Sequence, residues 1–290
     1  MADGILNIRK DSAIRSFSII EELKTIPGVE KAGYAGTLDN FASGVLLCGV
    51  NKATRILKYL LSLDKEYEAV VILGRTTDTL DPQGSVTATG RTDYSKGEIA
   101  EAAAGFVGAY SQTPPDFSSK KIEGRRASDL AREGKTVNLA PAGVTIHSLT
   151  VGDTDTSGRF TMKVRCSTGT YIRALARDIG LKLGTVAMLD KLERTSNGRF
   201  KAVDGLRPGE IDMSRHLVSM RDSLYFLEEA HLRPEAAGKV KNGVPLDPTD
   251  LISVNLKNGA YRLIFNELLL SVIERRDGRF LYLDNFSTDI

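Results

Sequence analysis

Between Gly33 and Leu61 the chain runs GYAGTLDNFASGVLLCGVNKATRILKYLL, and this succession of textures restricts the fold more than any other feature of the sequence. Gly33, Gly36 and Gly44 fall within twelve residues, so the backbone there can take positive φ angles and lie close to a ligand. The stretch reads as a glycine-rich loop carrying a single carboxylate, Asp39. An apolar run at Val45–Val50 follows, and Lys52–Leu61 then has the spacing of an amphipathic helix. An exposed loop is thereby held on rigid elements, the usual way of presenting a functional side chain. Taken alone, Asp39 suits a helix cap or a turn equally well, because Asp and Gly dominate ordinary turns.

Around this segment the pattern alternates. GILNI at the start reads as a strand, and Ile19, Ile20 and Leu23 in SFSIIEELKTI recur at helical spacing. Glu66–Leu73 is rich in β-branched residues and stops at Gly74, which marks a strand, while RTTDTLDPQGSV has the Asp, Pro and Gly of a loop. GEIAEAAAGFVG reads as a helix, and Thr113-Pro114-Pro115 ends regular structure. Thr145–Val151 and Arg159–Cys166 are expected to pair across GDTDTSG, with a helix from Tyr171 to Leu183 behind the STGT loop.

From about Pro234 the texture becomes β-rich: LISVNL, AYRLIF, LLLSVIE and RFLYLDNF, with Asn258-Gly259 and Asp277-Gly278 as hairpin signals. Two domains are expected, residues 1–227 and 228–290, the first with a basic insertion near 114–140. In that insertion Lys120, Lys121, Arg125, Arg126, Arg132 and Lys135 outnumber Glu123, Asp129 and Glu133. It could follow a phosphate backbone or simply be a solvated helix face. The net charge of +2 over the whole chain decides nothing, since bulk charge hides local patches.

Several classes are disfavoured. Cys48 and Cys166 lie in apolar surroundings, as buried free thiols do, and His147, His216 and His231 are far apart and near no cysteine pair. No metal or cofactor is expected. No apolar stretch approaches the roughly 18 residues of a membrane helix, and MADGILNIRKDSAIRSF lacks a secretory pattern, so a cytoplasmic protein is expected.

GYAGTLDNFASGVL resembles the motif of the TruB family of transfer-RNA pseudouridine synthases, in which a glycine-rich loop presents the catalytic aspartate. Asp39 is the match. Lys65-Glu66-Tyr67 is similar to the family's Lys-x-Tyr, Gly169-Thr170-Tyr171-Ile172-Arg173 to its Gly-Thr-Tyr-Ile-Arg, and Leu192-Glu193-Arg194 to its Leu-x-Arg. The four follow in the family's order. GILNIRKD is similar to the opening strand, with Lys10 at the usual lysine, and RPEAAGKVKNGVPL precedes a tail like the small PUA domain. The implied fold is α+β: a synthase domain with a central mixed, largely antiparallel sheet flanked by helices, plus a small C-terminal β-rich PUA-like domain.

The resemblance implies conversion of uridine to pseudouridine in the T-loop of transfer RNA, at position 55, after the base is flipped out. It assigns Asp39 as nucleophile, Arg173 as the guanidinium paired with it, and Tyr67 as the ring on which the uracil stacks and a participant in proton removal. Tyr34, Tyr171, Leu192 and Lys10 would bind substrate, and Lys120, Lys121, Arg125 and Arg126 the RNA backbone. Without the motifs, Arg173 reads as a surface arginine, and Tyr67, Tyr171 and Leu192 as core. The partner is transfer RNA, through T-loop, T-stem and acceptor end, with no guide RNA, no membrane and a single copy of the chain. Three positions depart from the family: Tyr34 stands at the usual His, Asn40 at the usual Pro, and Asp11 at the Pro after the lysine. Rival readings are a guide-dependent synthase, which predicts partner-binding extensions, a non-catalytic RNA-binding protein, which predicts a broken trio, and a glycosidase using Asp78 or Asp81 as second carboxylate.

Overall fold

The computed structural model describes residues 3–252 and 256–286. In chain order the first part contains β1 (Gly4–Lys10), α1 (Ser16–Leu23), β2 (Ala32–Ala35), β3 (Ser43–Val50), a 3-10 turn at Asn51–Ile56 running into α2 (Leu57–Leu61), and β4 (Lys65–Leu73). Next come β5 (Arg75–Thr77), β6 (Val86–Thr89), α3 (Lys96–Ala104), β7 (Gly108–Gln112), β8 (Lys121–Ile122), β9 (Arg125–Arg126) and α4 (Ala127–Arg132). β10 (Ala142–Thr154), β11 (Arg159–Cys166), α5 (Ile172–Lys182), β12 (Ala187–Asn197), β13 (Phe200–Lys201) and β14 (Val218–Ser219) complete it.

One large sheet has the order β14-β1-β3-β12-β4-β11-β10-β7, with β2 added to β3 and β13 to β12. Its pairings are antiparallel except β3 with β12, so the sheet is mixed and largely antiparallel, as expected. β3 reads as an unbroken apolar run because both its faces are covered. Leu46, Cys48 and Val50 enter the core beneath α1, α3 and α5, whereas Val45 and Leu47 enter a second core with Ile56 and Leu60. β4 instead alternates: Tyr67, Ala69, Val71 and Leu73 face the first core, and Glu66 and Glu68 face solvent. Tyr67 therefore lies on the helix-covered side by the period of two alone.

The parallel contact of β3 with β12 is short, pairing Ser43 with Glu193 and Gly44 with Arg194. It requires glycine. Gly44 has φ +108°, and a Cβ there would lie 2.2 Å from the Arg194 carbonyl oxygen. That close approach brings β12, and with it Arg194, against the glycine-rich loop.

A second sheet follows, ordered β15-β16-β17-β18, from β15 (Glu228–His231), β16 (Gly259–Phe265), β17 (Leu268–Arg276) and β18 (Arg279–Asn285). β15 pairs parallel with β16 and was not anticipated. Asp277-Gly278, with φ 49° and 79°, makes the expected tight turn between β17 and β18. The turn joining β16 to β17 is instead Asn266-Glu267, φ 47° and 64°, while Asn258-Gly259 leads into β16. Of LISVNL, residues 253–255 lie outside the described residues, and Leu251 forms a single bridge to Leu232.

Three further expectations need correction. Gly33–Ala35 belong to β2 and not to the loop, because β3 offers them an open edge. RTTDTLDPQGSV contains β5 and ends on the first residue of its partner strand β6, and the Lys52–Leu61 helix begins as 3-10 before becoming α-helical. The basic insertion folds as the β8–β9 hairpin followed by α4. The second sheet docks on the 3-10 turn and α2 through Asp284, whose Oδ2 accepts from the Tyr59 hydroxyl at 2.5 Å and lies 2.6 Å from Lys58 Nζ.

Candidate active site

Asp39 sits on the short link between β2 and β3, and the main chain on both sides of it is anchored. Ser16 Oγ donates to the Leu38 carbonyl at 3.1 Å and accepts from the Leu38 amide at 3.2 Å. Arg194 Nη2 donates to the Gly36 carbonyl at 3.0 Å, and the Ala13 amide donates to the Asn40 carbonyl at 2.8 Å. A loop fixed at Gly36, Leu38 and Asn40 leaves Asp39 little freedom, so its carboxylate is placed before substrate arrives.

The carboxylate meets Arg173, in the first turn of α5. Arg173 Nε donates to Asp39 Oδ2 at 2.8 Å and Nη2 to Oδ1 at 3.0 Å, a two-bond fork. The Arg173 side chain is 5% exposed and that of Asp39 36%, so the cation forms the floor and the carboxylate faces the opening. Two of the remaining three guanidinium hydrogens go to the Thr79 carbonyl, 2.7 Å from Nη1, and the Phe117 carbonyl, 2.9 Å from Nη2. One side chain thus ties the Asp39 loop, the β5–β6 loop and the root of the basic insertion to α5.

Asp81 adds a second carboxylate, its Oδ2 3.5 Å from Arg173 Nη1. It is buried, and desolvation raises its pKa, against donations from Thr79 Oγ1 at 2.7 Å and the Gln83 amide at 2.9 Å. Its Oδ1 therefore pins the loop that offers the Thr79 carbonyl to Arg173. Gln112 performs the corresponding task for α5, its Oε1 accepting from the Tyr171 amide at 2.8 Å and its Nε2 donating to the Tyr171 carbonyl at 3.1 Å.

Tyr67 is buried beside this pair. Burial raises the pKa of its phenol, while the Arg194 guanidinium next to it acts in the opposite direction. Arg194 is 2% exposed, and its Nε also donates to the Val45 carbonyl at 2.7 Å. Lys65 is buried too, donating to the Leu61 carbonyl at 2.6 Å and the Leu63 carbonyl at 2.5 Å, and desolvation brings its pKa down to about 8.

These groups line one cleft of about 470 Å³ that takes in Asp39, Tyr67, Arg173, Tyr34, Tyr171, Leu192 and Arg126. Lys10 does not belong to that set. It is fully buried, and its ammonium donates to the carbonyls of Ile14 at 2.7 Å, Asp11 at 3.0 Å and Asn40 at 3.5 Å. Its position therefore supports the loop and not the substrate; desolvation lowers its pKa to about 8 although Asp39 and Asp11 act to raise it. In the basic insertion Arg125 pairs with Glu133, and Lys135 lies 2.8 Å from the same carboxylate. Lys120, Lys121 and Arg126 form no ion pair among the described residues, which leaves their charge available to a phosphate.

Residues 24–172 match the model of the TruB family pseudouridylate synthase N-terminal domain. The chain is 36% identical to tRNA pseudouridine synthase B of Thermotoga maritima over 97% of this chain and 93% of the relative. It is 36% identical to the same-named protein of Borreliella burgdorferi over 94% and 95%. The chain belongs to the TruB family. It is a pseudouridine synthase. In fold it is similar to a chain of a crystallised Cbf5-Nop10-Gar1 complex, TM-score 0.73 at 23% identity over 93% of this chain and 78% of that one.

The family's four motifs converge here from four separate elements. Of the three departures, Tyr34 and Asn40 line the cleft and Asp11 does not. Tyr34 lines the cleft from β2; Asn40 has a buried Oδ1 without a partner among the described residues, where proline would place no polar atom; Asp11 lies 3.5 Å from Arg207. Sequence reasoning missed Asp81 and Gln112 as supports of Arg173. It also passed over Arg194, although Leu-x-Arg contained the signal: an arginine among core residues of a strand must have buried acceptors.

Proposed function

We propose that the protein isomerises uridine to pseudouridine in the T-loop of transfer RNA, at position 55, with no guide RNA and no cofactor. The observation that carries this reading is the forked Asp39–Arg173 pair on the floor of a cleft walled by Tyr67. The names of the relatives, tRNA pseudouridine synthase B, favour transfer RNA as the substrate.

The reaction conserves every heavy atom: the N1–C1′ bond breaks, C5–C1′ forms, the C5 proton leaves, and N1 gains a proton. A carboxylate beside the sugar can add to it or assist departure of the base, and Asp39 is held for either task. Arg173 offsets the desolvation of that charge when RNA closes the cleft. The uracil stacks on the Tyr67 ring. In the resting site burial favours the neutral phenol, so Tyr67 can accept the C5 proton only as the phenolate, formed once its own proton has left for water, and the Arg194 guanidinium beside it favours that form. Flipping the target base costs a few kcal/mol, offset by phosphate contacts from Lys120, Lys121 and Arg126. Residues 228–290 act as a PUA-like domain against the acceptor end, with residues 1–227 as the synthase domain.

The test is incubation of the purified protein with unmodified transfer RNA alone, followed by mapping of pseudouridine. Product at position 55 is expected. Product only after addition of a guide RNA and partner proteins would replace this reading with the guide-dependent one. Asp39→Asn should abolish turnover and leave RNA binding nearly intact; wild-type turnover in that variant would remove Asp39 from the nucleophile role.

A further inference from the structure

We infer that Phe17 is a stacking platform for a nucleobase next to the target uridine, a substrate-binding residue outside the four motifs. The inference rests on the proposal above that the cleft takes a folded RNA.

Phe17 is 57% exposed, whereas every other Phe or Tyr side chain among the described residues is buried or half-buried. Packing does not account for it. α1 buries Ser16, Ile19, Ile20 and Leu23, and Phe17 points away from that face. The exposed ring leaves a flat apolar face open for a ligand to cover. Phe17 lines the active cleft together with Arg15, and Arg126 and Arg132 line it from the basic insertion. Cations and an exposed aromatic face in one cleft are the two parts of a single-stranded nucleic-acid site, the first for phosphates and the second for bases.

Position selects the neighbouring base. Ser16 is hydrogen-bonded to both main-chain groups of Leu38, the residue before Asp39, so the ring is held at a fixed offset from the nucleophile. The target uracil itself lies against Tyr67, deeper in the same cleft. A nucleotide adjacent to it in the loop would thus reach the rim at Phe17.

Binding is measured on the Asp39→Asn background, so that turnover plays no part, with a T-arm stem-loop transcript and a series in which each nucleotide flanking the target is abasic in turn. Stacking on one aromatic side chain corresponds to roughly a 5- to 150-fold effect on affinity. Adding Phe17→Ala should weaken binding of the intact transcript by at least about fivefold, with an unchanged melting temperature, and Phe17→Tyr should restore it. One abasic transcript should bind the parent as weakly as the intact transcript binds the Phe17→Ala form, with no further loss when the two are combined. Unchanged affinity on Phe17→Ala, or losses that add at every abasic position, would overturn the inference. Pseudouridine mapping with the wild-type protein on the same intact transcript separately reports the proposed activity.

Discussion

Replacing Arg173 by lysine keeps the charge on the cleft floor and removes the fork. The guanidinium makes four hydrogen bonds, two to Asp39 and one each to the Thr79 and Phe117 carbonyls. An ammonium has three hydrogens on one atom, and these acceptors come from three segments around a plane, so at least one bond must be lost and two is the reasonable expectation. An unmet buried acceptor costs about 1–3 kcal/mol, and a bond to a charged group contributes about 1.5–3 kcal/mol. Losing one bond to Asp39 should therefore slow the single-turnover rate by roughly 10- to 150-fold. Losing a carbonyl bond as well should lower the melting temperature by about 2–4 °C per kcal/mol for a domain of this size. The assay is release of tritium from 5-tritiated uridine in transfer RNA under saturating enzyme, alongside RNA affinity, which should change little because Arg173 is buried. A single-turnover rate within threefold of wild type would refute the argument that the fork, and not the charge alone, places the Asp39 carboxylate.

Asp81→Asn retains the shape of the β5–β6 loop but removes the charge beside Arg173 and weakens the acceptor for Thr79 and Gln83; turnover should fall about tenfold with RNA affinity unchanged, as a burst experiment separates. Arg126→Ala and Lys121→Ala should each reduce the slope of log affinity against log salt by about 1, whereas Arg125→Ala, already paired with Glu133, should reduce it less. Lys10 and Lys65 have pKa values near 8 in the folded protein against about 10.5 unfolded, so below pH 8 both states hold the proton and between about 8 and 10 the unfolded state holds more. The wild type should thus gain stability across that window relative to the Lys10→Met and Lys65→Met variants, as urea titrations at successive pH values check; a decline would contradict the burial of these ammonium groups.

Much of the fold was legible because periodicity carries it. The period of two in EYEAVVIL places Tyr67 on the core side of β4, and the unbroken run at Val45–Val50 corresponds to a strand covered on both faces. Asp277-Gly278 marks its turn by the φ angles those residues tolerate, whereas Asn266-Glu267 takes the same conformations without the glycine that would have announced them. β15 was hidden because Glu228–His231 has no strand pattern of its own and is drawn into the sheet by pairing with β16.

The trio at the site was named from short motifs, since its residues sit in local contexts that a chain segment displays by itself. What the motifs could not give was the orientation of the other charged groups. Lys10, Lys65 and Arg194 belong to the same motifs yet lie buried with their hydrogens directed at main-chain carbonyls. Asp81 and Gln112 belong to none. The physical reason is that a buried charge is tolerated only where acceptors converge on it, and those acceptors come from segments distant along the chain. Sequence by itself marked the strongly periodic elements, such as β3, β4 and α1, and through its resemblance to a family's motifs it named Asp39, Tyr67 and Arg173. Only the tertiary structure, by closing β3 against β12 at Gly44 and three loops onto Arg173, decided which charges face the substrate and which hold the site in place.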